Sequence, residues 1–266
     1  MAKKKAKRAE SAIRDQVLRH FEGLRIPVRP EHLDEVLRKA EREGLGHLEF
    51  LDALIGEQAR QRRERSIERR INAARFAERR TLEDFDWEFN KQAIDRTQFE
   101  TLGSADFVAR RDNLVLVGQS GVGKSHLVQA IGIRACTVGR SVRYTTSADL
   151  INDLTSALAD KTLPKKLRKY VRPELLIIDE FGFDRVERNE SPEAGSLLYK
   201  VVHARSQKGS TALVTNIDFD DWGHYLGDPP VSMALLDRLV ENATITRIDK
   251  KAKSYRAHRA KRGQRS

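Results

Sequence analysis

A glycine-rich octapeptide, Gly118 to Ser125, constrains the fold of this chain more than any other segment. It has the sequence GQSGVGKS, follows the apolar run Leu114 to Val117, and opens a helical pattern from His126 to Val138 that Gly139 closes. A G-x-x-x-x-G-K-[ST] pattern between a strand and a helix predicts a phosphate-binding loop. In such a loop the backbone N–H groups turn towards phosphate oxygens, and the helix N-terminus adds partial positive charge.

The residues of this loop are expected to bind ATP together with Mg²⁺. Lys124 would reach the β- and γ-phosphates, and the hydroxyl of Ser125 would hold the metal ion. The predicted nucleotide-binding residues are Gly118, Gln119, Ser120, Gly121, Val122, Gly123, Lys124, Ser125 and His126.

A second apolar run, Leu175 to Ile178, ends in two adjacent carboxylates, Asp179 and Glu180. A buried parallel strand carries ligand residues at its carboxyl end. We therefore expect Asp179 to complete the Mg²⁺ shell through water, and Glu180 to orient and polarise the attacking water. Adjacent acids also occur at ordinary strand ends, but the phosphate-binding loop upstream favours the functional interpretation.

Two further polar residues have both a functional and an ordinary interpretation. Asn216 follows the run Leu213 to Thr215, and it either places the γ-phosphate or the water, or begins a turn. Arg238 lies in a helical pattern from Met233 to Val240. It either pairs with Glu241 on the surface or acts as an arginine finger on the γ-phosphate of a neighbouring subunit. Spacing alone leaves both alternatives open.

Zones of different composition indicate the domain organisation. Apolar residues at three- and four-residue steps predict a helical domain over residues 1–80, and its last helix carries nine arginines and four glutamates between Glu57 and Arg80. An acidic and aromatic connector over 81–110 is expected to pack on the next domain. Five short apolar runs alternate with helical segments over 111–248, which predicts an α/β core with a parallel sheet covered by helices on both faces. A basic tail follows over 249–266.

The charge balance predicts a polyanionic partner. Lys and Arg number 50 and Asp and Glu 39, which gives a formal net charge of +11. The basic helix up to Arg80 and the tail after Arg247 are candidate DNA contacts, and the segment before the Leu175 strand is a stronger one because only Asp160 and Glu174 offset it nearby. Phosphate contacts read little sequence, so binding is expected to be salt-sensitive and non-specific. The predicted DNA-binding residues are Lys161, Lys165, Lys166, Arg168 and Lys169.

Composition also excludes several classes of protein. The single cysteine, Cys136, can form neither an intrachain disulfide nor a cysteine zinc cluster. No apolar stretch approaches the roughly 20 residues that cross a bilayer. These observations predict a soluble, cytoplasmic protein with no membrane partner.

Taken together, these segments resemble the IstB-type transposition helper ATPases, relatives of the DnaC helicase loader and the DnaA initiator in the AAA+ superfamily. The resemblance extends over most of the chain, including LEFLDALI, RRERSIERRINAARF and TLEDFDWEF. The motifs that carry it are Lys124 in GQSGVGKSHL, Asp179 and Glu180 in LLIIDEFG, Asn216 in TNIDFDDW, Arg238 in LLDRL and Arg256 in KSYR.

This resemblance implies an AAA+ P-loop NTPase core with a five-stranded parallel sheet, a small all-helical N-terminal domain, and a minimal or absent lid. It also implies a homo-oligomer with ATP sites between subunits, and in related initiators the basic segment faces the central channel. The chain departs from the family at Ala252, where a glycine is common. The implied roles are the Walker B pair for Asp179 and Glu180, sensor one for Asn216, a finger acting in trans for Arg238, and a sensor-two-like residue for Arg256.

The expected function is that of an ATPase in transposition, a form of DNA recombination. It would assemble on duplex DNA with ATP, select or remodel the target, and recruit and stimulate a transposase, while hydrolysis resets the assembly. A DnaC-like replicative helicase loader shares the motifs but would hold single-stranded DNA. A small-molecule P-loop kinase is disfavoured by the adjacent Asp179 and Glu180, by Asn216 and by the basic surface. Glu180 and Arg238 disfavour a passive adaptor that binds ATP without hydrolysing it.

Overall fold

The computed structural model of the chain describes residues 2–183, 193–249, 251–255 and 257–258. The chain divides into two compact units, Met1–Glu68 and Arg69–Ser266. The domain boundaries predicted at 80, 110 and 248 stay predictions.

The first unit, Met1–Glu68, is helical. Helix α1 spans Ala2–Gly23, α2 spans Pro30–Glu43, and α3 spans His47–Ala74. A proline at the first turn begins α2, and Gly44, with a left-handed φ of 65°, follows its end. The core of this unit is formed by Leu33, Val36 and Leu54, with Val17, Phe21 and Phe50 packed against it.

The arginine-rich helix ends earlier than its sequence predicts. Its pattern of charges predicts helix as far as Arg80, whereas α3 ends at Ala74 and Arg75 adopts a left-handed φ of 61°. Phe76 then packs into the core of the second unit beside Gly132. Because burial of this aromatic ring requires the chain to turn, the arginines that follow Ala74 lie outside the helix.

A five-stranded parallel sheet with the order β2-β3-β4-β1-β5 forms the centre of the second unit. All five runs that the sequence predicts as strands form strands. Because β3, β4 and β1 are neighbours, the segments that follow them meet at one edge of the sheet. The strands are β1 Asn113–Val117, β2 Val142–Thr146, β3 Leu175–Phe181, β4 Ser210–Thr215 and β5 Ala243–Arg247.

Helices cover both faces of the sheet. Leu114 and Leu116 face one hydrophobic cluster, and Val115 and Val117 face the other, so continuous hydrophobicity in β1 reflects burial on two sides. No helix in the described part of the chain has the length and apolar character needed to cross a bilayer. The helices are α4 Arg96–Gly103, α5 Asp106–Arg110, α6 Lys124–Thr137, α7 Ser147–Ala159, α8 Leu163–Val171, α9 Ala194–Arg205, α10 Trp222–Leu226 and α11 Pro229–Val240, with a 3₁₀ turn at Phe219–Asp221.

One buried arginine connects several elements at the opposite edge of the sheet. Arg205, at the end of α9, donates hydrogen bonds to backbone oxygens at the end of α8 and at the starts of β3 and β4. Burial lowers the pKa of Arg205 to about 10, which leaves the guanidinium charged at neutral pH. Its acceptors are the carbonyls of Tyr170 (2.7 Å), Val171 (3.1 Å), Pro173 (2.8 Å), Glu174 (3.3 Å) and Ser210 (2.5 Å) and the hydroxyl of Thr211 (3.2 Å).

Candidate active site

The phosphate-binding loop lies between β1 and α6, in the context that its motif requires. Gly121 and Gly123 have φ values of 82° and 103°, which favour glycine. A Cβ atom at Gly121 would overlap Ser254, and one at Gly123 would lie 2.7 Å from the ring of Phe85. Gly123 provides no side-chain cap for α6, so no side chain at this position competes with an anion at the start of this helix.

Lys124 is buried, and its ammonium group lies over the loop. Its Nζ atom donates to the carbonyl oxygens of Gly118 (2.6 Å) and Gln119 (2.8 Å). A desolvated cation held against the loop is suited to the β- and γ-phosphates of a nucleotide.

Asp179 accepts three hydrogen bonds, although it is only 1% exposed. Its Oδ1 atom accepts from Ser125 Oγ at 3.2 Å and from the N–H of Glu180 at 2.8 Å. Its Oδ2 atom accepts from the Tyr144 hydroxyl at 2.9 Å. These donors offset the cost of burying the carboxylate. The role of Tyr144 carries no local sequence signal, because it depends on the pairing of β2 with β3.

A bulge in β3 brings both carboxylates to the same cavity. Ile178 pairs with Leu213 and Phe181 pairs with Thr215, so β3 has one more residue than β4 across this interval. Glu180 adopts a left-handed φ of 62°, a conformation that costs a non-glycine residue about 1–2 kcal/mol. Because the strand bulges and Glu180 has a left-handed backbone conformation, Asp179 is buried while the neighbouring Glu180 is exposed.

Asn216, immediately after β4, lines the same cavity. The turn after β3 approaches it closely, since a Cβ atom at Gly182 would lie 2.9 Å from Asn216 Oδ1. The structure thus brings Lys124, Asp179 and Glu180 together with Asn216 at the edge of the sheet.

The cavity has a volume of about 360 Å³, within the range of small-molecule sites. The aromatic residues that line it are Phe85 and Phe89 of the connector, Phe183 after β3, and Tyr255 of the C-terminal segment. No sequence motif identified these aromatic residues as part of a site. For Phe85 and Phe89 the available sequence signal was the alternation of aromatic residues in DFDWEF, but this alternation predicted only packing on the next domain.

The connector is attached along α6, and Phe85 and Trp87 pack against the core as the sequence predicts. His126 Nε2 donates to the Thr81 carbonyl at 2.8 Å. Just before the connector, the N–H of Glu78 donates to the Gln129 side chain at 2.9 Å. His126, a predicted nucleotide-binding residue, therefore also holds the connector beside the loop.

The C-terminal segment crosses the phosphate-binding loop. Asn90 exchanges two hydrogen bonds of 2.9 Å with the backbone of Lys253, and the N–H of Tyr255 donates to the Gly121 carbonyl at 2.9 Å. Ala252, the position that departs from the family, is buried in the core. Arg256 lies outside the described residues. After β5 those residues contain no helical bundle of the size of a lid.

Arg238 lies apart from the cavity of its own chain. It forms a 3.4 Å ion pair with Glu241 near the end of α11, and both side chains are 41% exposed. It is not among the residues that line the cavity. The surface pair considered from the sequence is present, and a role in a neighbouring subunit stays a prediction.

The basic segment is more neutralised than its sequence suggests. We expected only Asp160 and Glu174 to offset it, which was wrong, because α7 packs beside α8 and contributes Asp153. This carboxylate pairs with Lys166, and also with Lys169 at 2.8 Å. Burial alone would raise the pKa of Asp153, but hydrogen bonds from both lysines and from a tyrosine outweigh it and hold that pKa well below its usual range.

The remaining three predicted DNA contacts are exposed. Lys161, Lys165 and Arg168 have no ion-pair partner in the part of the chain that the structure describes. They are therefore the members of the set best suited to phosphate contact.

The donor atoms of the site fit Mg²⁺. Ser125 and Asp179 present a hydroxyl and a carboxylate oxygen 3.2 Å apart. The described residues include no group of three or more His, Cys, Asp or Glu side chains that could hold a metal alone. Mg²⁺ commonly binds through one or two protein oxygens together with phosphates and water. This donor set therefore suits a metal ion that arrives with a nucleotide.

Known proteins resemble most of this chain. The family model for IstB-like ATP binding protein matches residues 21–263. A putative ATP-binding protein of insertion sequence IS21 from Pseudomonas aeruginosa is 34% identical over 225 residues, covering 85% of this chain and 82% of the relative. That of insertion sequence IS5376 from Geobacillus stearothermophilus is 30% identical over 245 residues, covering 92% and 94%.

Solved structures share the fold. AMPPCP-bound DnaA from Aquifex aeolicus superposes with a TM-score of 0.52 at 18% identity, covering 72% of this chain and 56% of that one. The DnaC helicase loader gives 0.51 at 19% identity, covering 68% and 99%. These likenesses confirm the predicted AAA+ P-loop fold.

Proposed function

Because the chain belongs to the family of IstB-like ATP-binding proteins, we propose that it is an ATPase that assembles on duplex DNA and assists a transposase. The observation that carries the proposal is the meeting of Lys124, Asp179 and Glu180 at one cavity. The names of its relatives support an insertion-sequence setting, since they are ATP-binding proteins of such elements.

Each residue has a distinct part in the proposed hydrolysis. Lys124 binds the β- and γ-phosphates, and Ser125 and Asp179 hold Mg²⁺. The metal ion neutralises phosphate charge when it is bound. Glu180 orients a water molecule towards the γ-phosphorus and accepts its proton, and Asn216 positions the γ-phosphate or that water.

Hydrolysis and assembly measured together test this function. ATP turnover and sedimentation are compared for the full chain without DNA, with duplex DNA and with single-stranded DNA. We expect duplex DNA to raise turnover, and ATP to produce large DNA-bound assemblies. A preference for single strands would favour a DnaC-like helicase loader instead. A monomer whose turnover ignores DNA would contradict both functions.

The exposed part of the basic segment is expected to account for the DNA contacts made there. In a Lys165→Ala and Arg168→Ala double variant, the negative slope of log affinity against log salt should become shallower by about 2, since each phosphate contact contributes about −0.9. Duplex-binding titrations at several salt concentrations measure this slope. The matched control, Lys166→Ala with Lys169→Ala, removes the same charge from residues paired with Asp153 and should change the slope by less than half as much. Equal effects of the two double variants would contradict direct contact of Lys165 and Arg168 with DNA phosphates.

We also propose that Arg238 acts on the ATP of a neighbouring subunit. Arg238→Ala should retain nucleotide binding and lose turnover by about a thousandfold. Glu180→Gln has an inactive site of its own but provides an intact Arg238 to its neighbour. In an equal mixture of the two variants, about a quarter of the sites in a head-to-tail ring combine an intact Glu180 with a neighbour's intact Arg238, and activity should return at those sites. ATP turnover of the mixture measures this recovery.

Two controls make the mixing experiment specific. A Glu180→Gln and Arg238→Ala double variant supplies no arginine and should give no recovery. Glu241→Ala removes only the surface partner and should retain turnover. Full turnover by Arg238→Ala alone would remove this residue from the site.

A further inference from the structure

Tyr144 contacts Asp179 of the candidate nucleotide site and has no part in the hydrolysis proposed above. It belongs to β2, which pairs with β3, and the backbone of Tyr144 lies opposite Ile177. Its hydroxyl nevertheless reaches Asp179 Oδ2 at 2.9 Å, two residues further along β3. Such a diagonal contact between neighbouring strands requires a side chain as long as tyrosine.

Packing holds the ring of Tyr144 in place. The side chain is 7% exposed and belongs to the hydrophobic cluster beneath α6. Phe76 packs against it with a ring-centroid distance of 6.2 Å. A tyrosine has few rotatable bonds, so this packing also fixes the position of its hydroxyl.

The hydroxyl group completes the restraint on the Asp179 carboxylate. Oδ1 is held by Ser125 and by the N–H of Glu180, and Oδ2 is held by Tyr144 alone among the described residues. With donors on both oxygens, rotation of the carboxylate about its Cβ–Cγ bond would break hydrogen bonds in a buried environment. Oδ1 therefore stays towards Ser125.

We propose that Tyr144 is a positioning residue that holds Asp179 in the orientation required for Mg²⁺. This inference rests on the proposed function, since it concerns the same ATP site. Tyr144 does not touch the metal ion or the reacting atoms. It acts through Asp179, and loss of such an outer-shell hydrogen bond typically lowers metal affinity about 10- to 100-fold.

Tyr144→Phe tests the proposal, because it removes the hydroxyl and keeps the ring. The full chain is titrated with a fluorescent, non-hydrolysable ATP analogue, first in EDTA and then at increasing Mg²⁺. We expect unchanged affinity in EDTA. The Mg²⁺ concentration that gives half of the affinity gain should rise about tenfold or more.

Tyr170→Phe is the matched control. Tyr170 is also buried, at 1% exposure, and its hydroxyl donates to the carboxylate of Asp153 at 2.8 Å, away from the cavity. Both variants should lose some thermal stability, because each loses one hydrogen bond to a charged group. Only Tyr144→Phe should change the Mg²⁺ dependence.

The outcomes separate this inference from the proposed function. A normal Mg²⁺ dependence in Tyr144→Phe overturns the role of Tyr144, and so does an equal shift in Tyr170→Phe, which would show a general packing effect. If the wild-type chain binds the analogue equally well in EDTA and in Mg²⁺, the Mg²⁺–ATP site itself is contradicted.

Discussion

Glu180→Gln is expected to lower ATP turnover at least about a hundredfold while nucleotide binding is retained. A neutral amide cannot accept the proton of the attacking water, and general-base catalysis is typically worth about 10²- to 10⁴-fold. Glutamine has nearly the same shape as glutamate, so the left-handed backbone at this position gains no new strain. Turnover and binding of a fluorescent ATP analogue, measured on the same preparation, test the two parts of this expectation.

The assembly formed by Glu180→Gln should persist in ATP, because hydrolysis would no longer reset it. Sedimentation with duplex DNA measures this persistence. Lys124→Ala is the opposite case, since it removes the ammonium group from the loop and should lose nucleotide binding and assembly together.

Glu78→Gln is the matched control for charge in the cavity. Glu78 also lines the cavity, but it is an exposed side chain paired with Arg80, just before the connector. Removing its charge should change turnover less than threefold. Equal losses from both glutamate variants would show an effect of cavity charge and would contradict a specific role for Glu180.

Arg205→Met is expected to destabilise the second unit by about 3–5 kcal/mol. The guanidinium donates hydrogen bonds to five carbonyl oxygens and one hydroxyl, and methionine has no N–H group that could replace them. These carbonyls would each lose a donor between the end of α8 and the starts of two strands, and of the described donors the Glu174 oxygen would keep only the Ser210 N–H. Buried polar groups without partners cost about 1–3 kcal/mol each, although partial relaxation prevents simple addition.

Urea unfolding followed by tryptophan fluorescence measures this loss. The two tryptophans, Trp87 and Trp222, both belong to the second unit, so their signal reports on the unit that contains Arg205. Arg140→Met is the control, because Arg140 forms only a partly exposed pair with Glu174 and should cost less than about 1 kcal/mol. A similar loss from both variants would contradict the structural role of Arg205.

Much of the fold could be predicted because its signals are local. The five strands were recognised from short apolar runs, and α6 from its place after the phosphate-binding loop. The end of α3 could not be predicted. The decisive contact there is Phe76 beside Gly132, which involves residues far apart in the sequence.

The candidate site also has one part that could be predicted from the sequence and one part that could not. Lys124, Asp179 and Glu180 were recognisable because each lies next to its own strand or loop in a contiguous motif. The convergence of these motifs required the parallel order of β3, β4 and β1.

The sequence by itself determined the nucleotide-binding class, the strands of the sheet and the acids at the tip of β3. These depend on contiguous residues and on the periodicity of apolar side chains. Only the tertiary structure decided that the Tyr144 hydroxyl donates to Asp179, that Asp153 pairs with two lysines, and that Arg205 joins three elements. Such contacts depend on which strands and helices become neighbours, and that arrangement is a property of the whole packed core and not of any local pattern.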